Sequence, residues 1–463
     1  MFGYWSMPVC GLAVFAVLHL CGMQWSAGAG IALVLLPFNA PAAAGCVAGA
    51  ATALLWSRRR GTHADAVEVG VDSQRRAVAI PLGGASGSHT LIVGATGSGK
   101  TVTQALIVGL AVARGLGAVI IDPKGDPLLR ECTREAALSA GREFREWTPE
   151  GPSSYNPYAH GSSGEIADKA LAGERFTEPH YLRQAQRYLA HAVRALTATG
   201  EQPTPARLLD LMDPRRLEVA ARAIPDEGHA RRVFGYLDSL DPRQRAGLSG
   251  TRDRLAILVE SELGRWLEPA AGIPVLDLQA AVGARAVTYF QLDADRLPLL
   301  AGMLAAAIVS DLLTVAAGCQ RSPIPTLVVI DEFSAIAPGG VARLFGRARA
   351  AGFSLLLATQ ELADLRVAAA ELLEQVLGNV ETVIAHRQSV PDSAELIARI
   401  AGTRTAWRST EHVVHSMPTG RASRSRAREF ALHPDAIRTL ACGSAAIAVA
   451  GAPGCRIAHI HHP

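Results

Sequence analysis

The chain has 463 residues, 45 Lys+Arg against 42 Asp+Glu and a formal net charge of +3. The length exceeds one ordinary domain, and so balanced a charge excludes a protein that grips nucleic acid by bulk charge alone. The seven cysteines form neither a C-x-x-C pair nor a cluster of zinc spacing, which excludes a disulfide scaffold and a zinc module.

No Asp, Glu, Lys or Arg precedes Arg58, where average composition would put about ten. Residues 8–23 and 31–56 are apolar runs, the second interrupted by Pro37 and Pro41. We expect a membrane anchor over residues 1–60, with two transmembrane helices at about 5–24 and 30–56. Three shorter segments, one of them re-entrant, are the alternative. A cleaved signal peptide would need a basic n-region, which is missing. Arg58, Arg59 and Arg60 set the following residues in the cytoplasm by the positive-inside bias. The expected location is the inner (cytoplasmic) membrane, multi-pass, with the remainder of the chain cytoplasmic.

Residues 61–72 read as a polar connector and residues 77–82 as an edge strand. An apolar strand at 90–93 then runs into Gly94, Ala95, Thr96, Gly97, Ser98, Gly99, Lys100, Thr101 and Val102. The spacing G-x-x-x-x-G-K-T is a phosphate-binding loop. Its glycines let backbone N–H groups turn towards a phosphate chain, Lys100 supplies a point charge, and the Thr101 hydroxyl suits Mg²⁺. ATP and Mg²⁺ are the expected ligands.

Lysine occurs only three times, at 100, 124 and 169, so a lysine kept in so arginine-biased a chain marks a place where a compact ammonium is wanted. Lys124 lies in Asp122-Pro-Lys-Gly-Asp126, after a second apolar strand at 118–121. Alternating strands and helices predict an α/β fold with a mostly parallel sheet. The alternation stops near Tyr155. Residues 164–268 read as an all-α inserted domain, with helix starts at Thr204-Pro-Ala and Asp241-Pro-Arg. That divides the nucleotide-binding domain into a first part, 61–163, and a second, 269–463. Strands resume at 286–292, 326–330, 354–358, 380–385 and 445–450.

The 326–330 strand ends in Asp331-Glu332, where open α/β sheets bind ligands. Asp331 is placed to support Mg²⁺ and Glu332 to polarise an attacking water. Gln360 closes the 354–358 strand, which should neighbour it, and can sense a γ-phosphate or cap a helix. Arg347 and Arg349 read either as a finger for a neighbouring subunit's phosphate or as a solvated helix face. Arg421, Arg424, Arg426 and Arg428 fall in a Ser/Arg-rich stretch read as a loop. It could touch DNA phosphates or stay solvated. His459, His461 and His462 read as a solvated tail in preference to a metal site.

In order, residues 94–101, Asp122-Pro-Lys-Gly-Asp126, Tyr155-Asn-Pro157, Asp331-Glu-Phe333, Ala358-Thr-Gln360 and Gly378-Asn-Val-Glu-Thr382 through Arg387 resemble conjugative type IV secretion coupling proteins of the TraD/TraG class. These are relatives of the FtsK/HerA DNA pumps. The resemblance implies a RecA-like P-loop ATPase that assembles as a homo-hexamer below a membrane pore. It implies that a relaxase-bound single DNA strand, or a protein, is delivered to the secretion channel, with relaxosome proteins received by residues 164–268. It also implies that Arg349, by its interval from Gln360, reaches into the neighbour's site. A double-stranded DNA pump of the FtsK/HerA kind and a nucleotide-gated docking platform with little ATPase activity are the alternatives. The short link between the two expected spans and the absence of a long acidic tail depart from many members.

Overall fold

The computed structural model describes residues 66–463, apart from 84–86, 175, 177, 337, 415, 416 and 453. The anchor expected over residues 1–60 therefore lies outside the described residues. Among those described, one helix, Pro298–Cys319, is long and apolar enough to cross a membrane, and 78% of its apolar window is buried inside the protein. It serves here as a core helix.

In chain order the first elements are β1 (Ala66–Val71), β2 (Ala77–Pro81), β3 (Thr90–Val93), α1 (Lys100–Ala113), β4 (Gly117–Asp122), α2 (Pro127–Ser139) and β5 (Phe144–Trp147). Among the described residues helices α3 to α11 and one strand follow: α3 (Ser163–Ala170), α4 (Pro179–Ala198), α5 (Pro205–Leu211), α6 (Pro214–Arg222), α7 (Glu227–Asp238), α8 (Pro242–Gly247), α9 (Ser249–Glu260), a short 3-10 turn (Gly264–Trp266), α10 (Leu278–Gly283), β6 (Val287–Gln291) and α11 (Pro298–Cys319). The last third holds β7 (Thr326–Ile330), α12 (Phe333–Ile336), α13 (Pro338–Ala351), β8 (Phe353–Thr359), α14 (Leu362–Ala368), α15 (Leu372–Asn379), β9 (Thr382–Ala385) and α16 (Pro391–Ala401). The chain then closes with β10 (Thr403–Val414), β11 (Met417–Phe430), α17 (Pro434–Arg438), β12 (Ser444–Val449) and β13 (Cys455–Ile460).

Eleven strands form one sheet in the order β2-β1-β13-β12-β9-β3-β8-β7-β4-β6-β5. From β9 to β5 every neighbouring pair is parallel. These strands are buried on both faces, as their unbroken apolar runs require: all five residues of β7 and all seven of β8 are buried. Period-two alternation then splits the apolar residues between two cores. Leu91, Val119, Val328 and Leu355 face α11 and α13, whereas Ile92, Ile120, Val329 and Leu356 face α1.

Beyond β9 the sheet continues antiparallel through β12, β13 and β1, so the fold is α/β with a large mixed sheet. Three readings of the sequence are corrected here. The supposed polar connector contains β1, whose Val67 and Val69 alternate inward around exposed Glu68. Of the histidine tail, His459 lies in β13, and His461 just past it has its Nε2 3.2 Å from Glu68, all three histidines being exposed. The Ser/Arg-rich loop is β11, paired along its length with β10. For β1 and β13 a partner distant in sequence, and for β11 the neighbouring strand β10, supplies what local propensity lacks.

Among the described residues no strand lies between β5 and β6. The helices there start where side-chain oxygens can cap them: Thr204 accepts from Arg207 N–H, and Asp241 forms a capping box with Gln244. They bury their own core, including Tyr188, Leu208, Leu217 and Leu255. One buried cluster ties them to the sheet layers. Lys169 of α3 sits 2.6 Å from Asp311 of α11, and both side chains are almost fully buried. Lys169 also donates to the His160 carbonyl at 2.5 Å, and the Tyr155 hydroxyl donates to Asp311 at 2.9 Å.

Removing one partner strands a buried charge, whereas removing both does not. Lys169→Met should therefore lower unfolding free energy by about 3–5 kcal/mol, and Lys169→Met/Asp311→Leu should recover most of it. Urea unfolding of the two variants checks this.

Candidate nucleotide site

The site is assembled from the C-terminal ends of five adjacent parallel strands, β9-β3-β8-β7-β4. β3 delivers the phosphate-binding loop. Gly97 and Gly99 have φ of 73° and 112°, a region that glycine enters without penalty. At Gly94 a Cβ would lie 2.5 Å from Ser98 Oγ and 2.7 Å from His386 Cβ, so no side chain fits. The loop is pinned by Ala95 N–H to the Arg387 carbonyl (3.0 Å) and by Gly443 N–H to the Ser98 carbonyl (3.2 Å).

The loop fits a phosphate chain. α1 begins after Gly99 with no side-chain cap and no acidic residue in its first turn, leaving its first N–H groups and its positive dipole end for an anion. Ser98 Oγ is buried without a partner, and nothing lies within 4 Å of the Gly97 Cβ position. Thr101 stands in the same first turn. Gln104, one turn further along that face, donates to Asp331 Oδ1 at 2.8 Å. Thr101 and Asp331 thus offer hydroxyl and carboxylate oxygens of the kind Mg²⁺ takes beside phosphates.

Three side chains converge on one oxygen of Glu332. Gln360 Nε2 donates to Oε1 at 2.9 Å, Lys124 Nζ lies at 3.2 Å and Lys100 Nζ at 3.8 Å. Glu332 has φ of 43°, unusual for a residue with a side chain and the kind of backbone strain that collects at functional sites. Gln360 also accepts from the Thr96 hydroxyl at 3.2 Å, so the second strand end touches the loop itself. Lys100 donates to the Gly94 carbonyl at 2.7 Å.

Lys124 owes its position to a turn built by Asp122. That buried carboxylate accepts the N–H groups of Lys124 (2.8 Å), Gly125 (2.9 Å) and Asp126 (2.7 Å), and the Tyr289 hydroxyl. Asp122 therefore acts on the turn, and Lys124 on Glu332. Composition singled out Lys124; Gln104 and His386 carried no signal in sequence, because their partners are 227 and 283 residues away.

Burial shifts the charges. It pushes the Asp331 carboxyl up to about 6, with Gln104 pulling against it and Glu332 adding to it. It pushes Lys100 down, partly offset by Glu332 and Asp331. At Lys124 burial is outweighed by Glu332, and the ammonium is raised.

Arg349 is elsewhere. Exposed on α13, it donates to the Asn379 carbonyl at 3.1 Å and lies close enough to His89 to disfavour its protonation. The seven residues of β8 separate it from the Gln360 end, a rise of roughly 20 Å. Within one subunit the structure does not bring Arg349 to the loop.

A phosphate loop on an uncapped helix, facing an Asp-Glu strand end and a glutamine strand end, defines a P-loop ATPase. Residues 325–441 match the family described as the TraM recognition site of TraD and TraG, and residues 67–126 match the central domain of the helicase HerA. Over those residues the chain is similar to the TraD/TraG class and to the HerA core. Among solved structures it is similar to the conjugative coupling protein TrwBdeltaN70 in its unbound monoclinic form: 16% identity, 88% of this chain and 91% of that chain covered, TM-score 0.62. TrwB in complex with the GTP analogue GDPNP gives 17% identity, coverage of 88% and 92%, and TM-score 0.62. VirB4 of Thermoanaerobacter pseudethanolicus gives 14%, 87% and 98%, and 0.56. At these identities the likeness is one of fold. No curated protein sequence matches the chain significantly.

His386 packs behind the loop, its Nε2 2.9 Å from the Thr103 hydroxyl, and burial pushes it down to about 4. Burial does the same to His89 and His191. A histidine depressed on folding contributes stability above about pH 6.5, and that stability is lost as the pH falls towards 4. Between pH 7 and pH 5 each of the three should cost about 2 kcal/mol. Denaturant unfolding across that range should show the loss, and His386→Asn should reduce its slope by one histidine's share.

Proposed function

We propose that this chain is a membrane-anchored ATPase that couples hydrolysis of Mg-ATP to recruiting and moving a conjugative cargo, a relaxase-bound single DNA strand or a protein, into a type IV secretion channel. The observation that carries the reading is the convergence of Lys100, Lys124 and Gln360 on Glu332 at the mouth of the loop. A site built only to hold nucleotide needs the loop and its lysine. It does not need a strained carboxylate with an amide and a second ammonium aimed at it.

Residues 94–102 hold the phosphates, with Lys100 against the outer ones. Thr101 and Asp331 would hold the metal, which would neutralise charge on the phosphate oxygens. Glu332 accepts a proton from the attacking water, and Lys124 and Gln360 orient its carboxylate. Gln360 bonds both Glu332 and Thr96, so a change at the loop is transmitted to the base. The position of Arg349, exposed at the end of a core-packed helix and remote from its own loop, supports its delivery to a neighbour's γ-phosphate in a homo-hexameric ring. Two N-terminal spans anchor the ring to the inner membrane. The TraM-recognition match and the inserted helical domain at 164–268 support contact with relaxosome proteins. TrwB complexes with ADP and Mg²⁺ and with an ATP analogue support the same ligands here.

Two measurements test the reading. Lys100→Ala should abolish conjugative transfer while the protein stays in the membrane; normal transfer would remove coupling from consideration. Lys100→Ala and Arg349→Ala should each lower ATP turnover by at least about a hundredfold. Mixed together they should regain part of it, because a loop from one variant can meet an arginine from the other. No recovery on mixing would place Arg349 outside the neighbour's site.

A further inference from the structure

β10 and β11 form a two-stranded ribbon separate from the main sheet. Its base is closed by Ala431 N–H to the Gly402 carbonyl at 2.8 Å. Directly opposed residues in an antiparallel pair share a face, so the register sorts the side chains. Thr405 opposes Arg428, Trp407 opposes Arg426 and Ser409 opposes Arg424. The other face pairs Arg404 with Glu429, Ala406 with Ala427 and Arg408 with Ser425.

The two faces differ in kind. On the second, Arg408 is paired with Glu429 at 3.0 Å, and Ala406, Ala427 and Glu429 are partly covered. On the first, these six residues are all exposed and none of the six is acidic, and the next pair along that face is Glu411 with Ala422. Trp407 is 62% exposed, and the Arg426 guanidinium lies over its ring, 4.9 Å from the centroid. Arg424 and Arg428 flank that pair at alternate positions, about 7 Å apart along the strand, with no ion pair among the described residues.

Three guanidinium groups in a row repel one another, and an exposed indole gains nothing from water, so this stretch of the face is unfavourable in isolation. Its complement is a chain of regularly spaced anions carrying flat rings. We propose that the Arg424, Arg426, Arg428 and Trp407 face of this ribbon is a binding site for single-stranded DNA. The arginines meet successive phosphates, and the indole, already faced by one guanidinium, stacks a base. The inference rests on the translocation reading above, but it concerns the track and not the motor.

Fluorescence anisotropy of a labelled oligo-dT, with the full-length protein in detergent and no nucleotide, tests it. Arg424→Gln/Arg426→Gln/Arg428→Gln should weaken binding by about tenfold at moderate salt. It should also flatten the dependence of log K on log salt by about 2, at roughly 0.7 per phosphate lost. Trp407→Ala should weaken binding several-fold without changing that slope. Arg404→Gln, on the other face, should do neither, and basal ATP turnover should survive in all of them, which also reports folding. Unchanged affinity and slope in the triple variant would overturn the proposal. So would a greater loss for duplex than for single strand, or a loss confined to an acidic protein partner. Lys100→Ala protein should still bind the oligonucleotide, so failure of the motor reading and failure of the ribbon site are separable.

Discussion

The parallel register of β9, β3, β8, β7 and β4 is the constraint on which the rest depends. Each strand ends within a residue or two of its functional group: His386 and Arg387, the loop, Gln360, Asp331-Glu332, and the Asp122 turn carrying Lys124. In a parallel sheet all C-terminal ends lie on one edge, so groups from residue 94 to residue 387 meet without any of them being close in sequence. A slip of one residue in β7 would turn Glu332 to the opposite face. The burial of β7 and β8 on both sides is what forbids such a slip, because their side chains are divided between two differently shaped cores.

The three lysines illustrate how composition is converted into structure. Lys100 and Lys124 both address Glu332, and Lys169 is buried against Asp311. Each position uses one compact charge against a carboxylate, in a confined space for Lys100 and Lys169 and at the exposed mouth of the site for Lys124. Lys169 differs in having no part in the site. Its ion pair joins the helical segment to α11, which lies under the strands that carry the catalytic edge. Helical segment and site are therefore linked through one buried pair and the packing around it.

Much of this was legible in sequence, and what was not has a common cause. The apolar strands 90–93, 118–121, 326–330 and 354–358 were visible because burial on both faces leaves an uninterrupted apolar run. Their helix connections and the two cap-initiated helices at Thr204 and Asp241 were visible because caps are local. In the antiparallel extension the strands at 77–82 and 445–450 were visible too, but β1 and β13 were not. β13 reads Cys-Arg-Ile-Ala-His-Ile, and β10 opens Thr-Arg-Thr-Ala-Trp-Arg, stretches whose strand character comes from a partner and not from the residues themselves. At the site, Lys100, Asp331, Glu332 and Gln360 announced themselves by motif and strand end. Gln104 and His386 did not, since an amide inside an apolar helix and a histidine after a strand acquire a role only from what packs against them.

Arg349 gives the arrangement its last consequence. The strand direction that gathers the loop, the acids and Gln360 on one edge necessarily sends the helix before β8 to the other. An arginine at the end of that helix therefore cannot serve its own loop by any side-chain rotation, since an arginine reaches far less than the rise of β8. Its own contact, to the Asn379 carbonyl before β9, fixes it on that opposite edge. If it contributes to phosphate chemistry, it does so only where the far edge of one copy meets the near edge of the next. Such a head-to-tail contact is heterologous, the type that closes into a ring where its rotation divides a full turn and runs on as a filament where it does not.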